Sequence, residues 1–195
     1  MNDRRNNGSY HHGDLRNALR QSAREILEEE GLGALSLRAV ARRVGVSHAA
    51  PYRHFPSHEA LLADLAVEGF SELREGVAAA GAAPGGQADK IAEIGAAYMR
   101  FAVRRPALAR LMFGSQMPNR NESPVLGDAA EAVGAAIGKA LGDSVLGLAV
   151  WGAVHGLTML VLEDVIDLGQ RRAGLDVLPS RAEILLRSLF ARPPG

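Results

Sequence analysis

The 195-residue chain is 47% hydrophobic and 23% charged, enough to bury a real core, which excludes a disordered tail. It contains no cysteine, which excludes disulfides, thiol nucleophiles and thiolate metal sites. Its 22 basic and 22 acidic residues cancel unevenly: residues 1–58 carry a net +3 and five of the six histidines, and residues 59–195 carry −3, so a small basic part precedes a larger acidic one.

The opening residues, MNDRRNNGSYHHGD, are polar, so no secretory signal and a cytoplasmic location are expected. Arg4 and Arg5 form an arm that could enter a minor groove or simply solubilise the chain. His11, His12 and Asp14 lack converging partners, and no metal or cofactor is expected. An amphipathic helix is expected over Asp14–Glu30, with Leu15, Leu19, Ala23, Ile26 and Leu27 on one stripe. Gly31 and Gly33 stop it. Ser36 is the N-cap of a short helix Leu37–Val44, and Gly45 breaks it. Ser47 is expected to cap a second short helix, His48–His54, with Pro51 in its first turn. Ser57 caps a long helix with Leu62, Leu65, Gly69, Leu73 and Val77 on one face, closing at GAAPGG.

Further along, Ile91, Ile94, Tyr98 and Phe101 share a helical register, and Pro106 suits the first turn of a helix through Phe113. A polar loop, residues 114–123, precedes a glycine-rich helix from Pro124 to about Gly142. A very apolar helix is expected over Ser144–Leu168, and a last one begins in a capping box, Ser180 to Glu183, and ends at Pro193. The expected fold is all-α, about nine helices, with a three-helix head on a larger helical body. The expected division is 1–57 for arm and head, 58–80 for a linking helix and 81–195 for the body.

Two short capped helices around a glycine turn make a helix-turn-helix over residues 36–55, with Leu37, Val40, Ala41, Val44 and Val46 turned inward and Phe55 as a plug. Such a unit inserts the N-terminal residues of its second helix into the major groove of double-stranded DNA. Those are Ser47, His48, Ala49 and Ala50, small enough for close approach and able to touch thymine methyls. Arg38, Arg42, Arg43 and Arg53 lie on polar faces, within reach of phosphates or a guanine edge, or else merely solvated.

The stretch LSLRAVARRVGVSHAAPYRHFPSHEALL resembles the N-terminal head of TetR-type transcriptional regulators, including the Tyr52-x-His54-Phe55 ending. The resemblance implies that Arg38 contacts a base or phosphate and that Ser47 to Ala50 read bases. It implies that Tyr52 and His54 grip the backbone and that His58 stands where the family offers a lysine to phosphate. Residues 87–195 resemble the family's C-terminal ligand-binding and dimerisation domain, in the subclass with a Trp-His-Gly pattern, here Trp151, His155 and Gly156.

Trp151, His155 and Met159 also share a helical stripe, Tyr98 and Phe101 share another, and Met112, Phe113 and Met117 cluster before the loop. Such residues line an apolar pocket for a small effector or pack as a core. The stretch Ser144–Leu162, with Gly152-x-x-x-Gly156, is long enough to span a bilayer. Glu163, Asp164 and Asp167 follow it at once and no basic flank anchors it, so no membrane is expected. It is expected instead to form a homodimer interface with the last helix, over about 144–168 and 180–192. The expected function is a dimeric repressor on a near-palindromic operator, released by an apolar effector. The alternative is a constitutive DNA-binding protein whose body only dimerises. No nucleophile and base pairing, phosphate loop or dinucleotide fingerprint suggests an enzyme.

Overall fold

Caps and left-handed turns set where each helix begins and ends. The computed structural model describes residues 12–115 and 123–190, and the described residues are helical with no strand. The helices are α1 (His12–Glu30), α2 (Leu37–Val44), α3 (His58–Gly81), α4 (Gln87–Arg104), α5 (Pro106–Phe113), α6 (Pro124–Leu141), α7 (Ser144–Leu162), the one-turn α8 (Gln170–Ala173) and α9 (Leu178–Phe190). Short 3-10 turns lie at Leu32–Ala34, Pro51–Arg53 and Leu175–Val177. The Ser36 hydroxyl accepts the Ala39 N–H at 3.1 Å, and the Ser57 hydroxyl accepts the Ala60 N–H at 3.2 Å, so both serines cap as expected. Gly45 ends α2 at φ 80°, and Val46 N–H closes back on the Ala41 carbonyl at 3.0 Å. That left-handed backbone is open to glycine at little cost.

The structure corrects three boundaries. The second helix of the head is a 3-10 turn, Pro51–Arg53, after an irregular turn. Pro51 has no N–H to return to the Ser47 carbonyl, so Ala50 N–H takes that carbonyl instead, at 3.0 Å, and Ser47 starts a tight turn with no side-chain cap. The apolar helix α7 stops at Leu162, not Leu168. Asp164 adopts φ 57°, and Val165 N–H reaches back to the Leu160 carbonyl at 2.9 Å while Asp164 N–H bonds the Val161 carbonyl at 3.0 Å. This is a Schellman closure with aspartate in the left-handed position. Finally, α9 begins at Leu178, so Ser180 lies inside the helix and the Ser180–Glu183 capping box does not form. Pro179 sits in the first turn, where a missing N–H is harmless. The expected end at Pro193 lies outside the described residues.

Packing follows the apolar stripes. Leu19, Ala23, Ile26 and Leu27 of α1 meet Leu37 and Val40 of α2, with Phe55 buried beneath them. Leu62, Leu65, Gly69, Leu73 and Val77 are all buried along α3, which packs on α4, α5 and α6. One contiguous core therefore runs from α1 through α3 to α9, with a smaller cluster at Met99, Val161, Leu178 and Ala182. The helix α9 lies against α4, and α7 lies against α6 and α4. A Cβ built on Gly69 would stand 2.5 Å from Met112 Sδ, so the absence of a side chain there lets α5 approach α3. By length and composition alone α7 would suffice to cross a membrane.

Candidate nucleic-acid interface and effector cleft

The net +3 of residues 1–58 is not evenly available. Arg16 and Arg20 of α1 bind the Asp64 carboxylate at 2.7 and 2.5 Å, and Arg24 binds Glu68 at 2.6 Å, both carboxylates lying on α3. Arg43 is held by Glu29 and Glu30 at the end of α1, at 2.9 and 2.6 Å. Arg38, Arg42 and Arg53 make no ion pair among the described residues. Arg38 and Arg42 are one turn apart on an exposed side of α2, and Arg53 is exposed beside Tyr52. Among the described residues, the uncompensated positive charge of the head is thus concentrated on the helix-turn-helix.

The intervening turn presents Ser47, His48 and Ala49 to solvent, with Ala50 half-buried and Pro51 buried as its anchor. Tyr52 is 50% exposed, and His54 is half-buried. Between them and α3, Phe55 is sealed in the core under the Arg16 guanidinium, 5.6 Å from its ring centroid. His58 opens α3 half-buried, with Nδ1 buried and without a hydrogen-bond partner. Arg4 and Arg5 lie outside the described residues.

The body brings together some of the residues singled out for an effector. A cleft of about 250 Å³ is lined by Arg110, Phe113, Gly114, His155, Met159 and Glu163. The Phe113 ring lies 4.3 Å from that of His155 and stands edge-on to Phe70 of α3 at 5.4 Å. Behind His155, the buried Tyr98 hydroxyl contacts Nδ1 at 3.0 Å. Burial raises the Tyr98 pKa and lowers that of His155, so both side chains are held neutral. Trp151 lies instead over Gly134 of α6, in a separate cleft of about 700 Å³. Its indole N–H is buried with no hydrogen bond of proper geometry, although it lies near enough to the Tyr98 oxygen to favour the phenolate slightly. Phe101 and Met112 are packed in the core, and Met117 lies outside the described residues.

Three lining residues carry no sequence signal. Arg110 binds Glu163 at 2.7 Å and also donates to the Leu162 carbonyl, tying the end of α7 to α5. Gly114 completes the rim. These contacts span more than fifty residues of chain, and no local pattern announces them.

A third feature is an apolar face that is exposed among the described residues. Val145, Leu148 and Leu160 of α7 and Ile184, Leu185 and Leu189 of α9 are exposed, Leu148 and Leu189 by 66% and 67%. A groove of about 550 Å³ runs between the two helices, lined by Leu157, Leu160, Leu185 and Leu189 among others. Large exposed apolar patches on soluble proteins mark interaction surfaces.

Known proteins resemble this chain in sequence and fold. The family described as "Bacterial regulatory proteins, tetR family" matches residues 19–65, and the family described as "Tetracyclin repressor-like, C-terminal domain" matches residues 91–176. The second description does not separate the Trp-His-Gly subclass from its relatives. HTH-type transcriptional regulators of Mycobacterium tuberculosis and Mycobacterium bovis are 33% identical over 147 residues, covering 67% of this chain. The chain matches 63% of the length of those relatives, a little under two thirds. A Rhodococcus sp. RHA1 protein of unknown function superposes with a TM-score of 0.73 at 30% identity, over 95% of this chain and 100% of that one. A tetR-family regulatory protein from the same Rhodococcus superposes at 0.71 and 17% identity, over 92% and 98% of the two chains. With a matching head, a matching body and a shared all-α architecture, the chain belongs to the tetR family of bacterial regulatory proteins.

Proposed function

We propose that this protein is a one-component transcriptional regulator that binds double-stranded DNA as a homodimer. One observation carries the reading: the arginines of the head that lack a carboxylate partner, Arg38, Arg42 and Arg53, flank the exposed turn Ser47–Ala49. Residues 1–57 form the arm and reading head, 58–80 the linking helix and 81–195 the body. Ser47, His48, Ala49 and Ala50 approach base edges, and Arg38, Tyr52, His54 and His58 hold the backbone. The apolar faces of α7 and α9 meet their copies in a four-helix interface, which accounts for a helix as apolar as α7 without a bilayer and suits a cytoplasmic protein. Two heads then read a near-palindromic operator with half-sites one helical turn or a multiple of it apart, ~34–36 Å per turn.

The regulator is a repressor released by a small, largely apolar effector. Phe113, His155 and Met159 line the cleft, and Tyr98 stands behind His155. The Phe113–Phe70 contact links the cleft to α3, the helix that carries the head. Binding-site selection on random duplex DNA with the full chain tests the first claim, and recovery of no inverted repeat would refute it. A constitutive DNA-binding protein is the second reading, favoured by the small size of the cleft relative to sites of ~300–1,000 Å³. Operator release by a compound that also raises thermal stability decides between them.

A further inference from the structure

The hydrogen bond behind the cleft fixes more than the position of two side chains. Tyr98 is buried, protonated and has one proton to donate, and a buried donor must find an acceptor. The acceptor at hand among the described residues is His155 Nδ1, at 3.0 Å. A neutral imidazole that accepts at Nδ1 carries its proton on Nε2. That second nitrogen makes no hydrogen bond to the protein among the described residues and is not sealed in the interior. Trp151 reinforces the direction: its buried N–H makes no other hydrogen bond and lies near the Tyr98 oxygen as a donor, leaving the phenolic proton to Nδ1.

The ionic groups at the rim point the same way. Arg110 is already occupied by Glu163 and the Leu162 carbonyl, so among the described residues the cleft offers no free cation for a carboxylate ligand. The remaining walls, Phe113 and Met159, are apolar. We propose that the cleft selects a neutral, largely apolar effector bearing a carbonyl-type oxygen, which accepts a hydrogen bond from His155 Nε2–H, with Tyr98 as the positioning residue that fixes the imidazole tautomer. This rests on the effector-responsive reading above and names its ligand class.

The test uses the full chain labelled with nitrogen-15 histidine at neutral pH, with His155 assigned from a His155→Gln variant. Multiple-bond proton–nitrogen correlation should show the Nε2–H tautomer at His155, and Tyr98→Phe should mix the two tautomers. Acetophenone and α-methylstyrene, which differ in shape by little more than oxygen against methylene, are then titrated at millimolar concentration. The ketone should shift the Nε2 resonance and bind at least about tenfold more tightly than the alkene, a preference lost in His155→Leu. Benzoate should bind no better than the ketone. An Nδ1–H tautomer in the parent chain overturns the proposal. So does an equal response to ketone and alkene, no response to the ketone, or a preference for benzoate. If the ketone binds through Nε2 and operator affinity is unchanged, the recognition stands and the regulatory reading is the one that fails.

Discussion

The Glu28 carboxylate of α1 accepts the backbone N–H of Leu108 at 3.1 Å, and its other oxygen accepts that of Ala107 at the same distance. Arg105, at the N-cap of α5, supplies no side-chain cap, so a residue of the reading head caps a helix of the body. Glu28→Ala should therefore lower stability by ~1–2 kcal/mol, the usual effect of losing such a cap. Glu28→Gln should recover part of it. Urea unfolding monitored by circular dichroism reads both, and an unchanged midpoint for Glu28→Ala would show that the cap is unimportant.

The ion-pair pattern divides the arginines of the head into two groups. Arg38→Ala, Arg42→Ala and Arg53→Ala should each weaken operator binding and flatten the dependence of log K on log salt by ~0.9 for each phosphate no longer neutralised. Arg43→Ala should leave that slope unchanged, because Glu29 and Glu30 already neutralise it. Fluorescence anisotropy across a salt series separates the groups. Equal slope changes for Arg43 and Arg42 would refute the division.

Leu148→Glu combined with Leu189→Glu places a charge on each exposed helix of the apolar face. The expected outcome is a monomer in sedimentation velocity, with folding retained and affinity for a paired half-site operator sharply reduced. A dimer that persists would move the interface elsewhere.

Two glycines give opposite expectations. A Cβ on Gly147 would sit 2.6 Å from the Gly138 Cα and 2.7 Å from its nitrogen, so Gly147→Ala must force α6 and α7 apart, at a cost of ~1–3 kcal/mol. Gly76 is exposed in α3 with nothing near its Cβ position, so Gly76→Ala should stabilise by ~0.5–1 kcal/mol. Thermal melting of the pair checks the sign of each.

His155 has a pKa lowered from its ordinary 6.5 by burial. Below 6.5 the unfolded chain binds a proton that the native chain resists, so stability rises with pH there. The contribution is complete above 6.5 and is lost as pH falls towards the lower native value. His155→Leu should flatten the dependence of melting temperature on pH in that acidic window. An identical slope in parent and variant would contradict it.

Helix identities and the head are legible in the sequence because they depend on local signals. Ser36, Gly45, Ser57, Pro106 and Pro124 each act within a turn of their own position. Sequence and structure part where a residue does something its type only tolerates. Asp164 closes α7 in a left-handed conformation that glycine usually supplies. Pro51 lies early enough for a helical first turn, yet it also removes the hydrogen bond that would make the turn α-helical. In the cleft beside Arg110, Phe113, His155 and Met159 are identifiable from type and spacing. Arg110 and Glu163 are not, since their pairing depends on how α5 meets the end of α7. Whole-segment charge is the least informative quantity, because it counts Arg16, Arg20 and Arg24 as available when Asp64 and Glu68 hold them.

Those same carboxylates have a mechanical consequence. The first three turns of α3 are strapped to α1 by three arginines, and Phe55 is trapped at their junction. The head and the start of the long helix are therefore bound together into one stiff unit. Just past the last strap, at Gly69, α5 packs close against the same helix. On the regulatory reading proposed above, a displacement of α5 at the cleft would reach the turn Ser47–Ala49 through both this contact and the Glu28 cap.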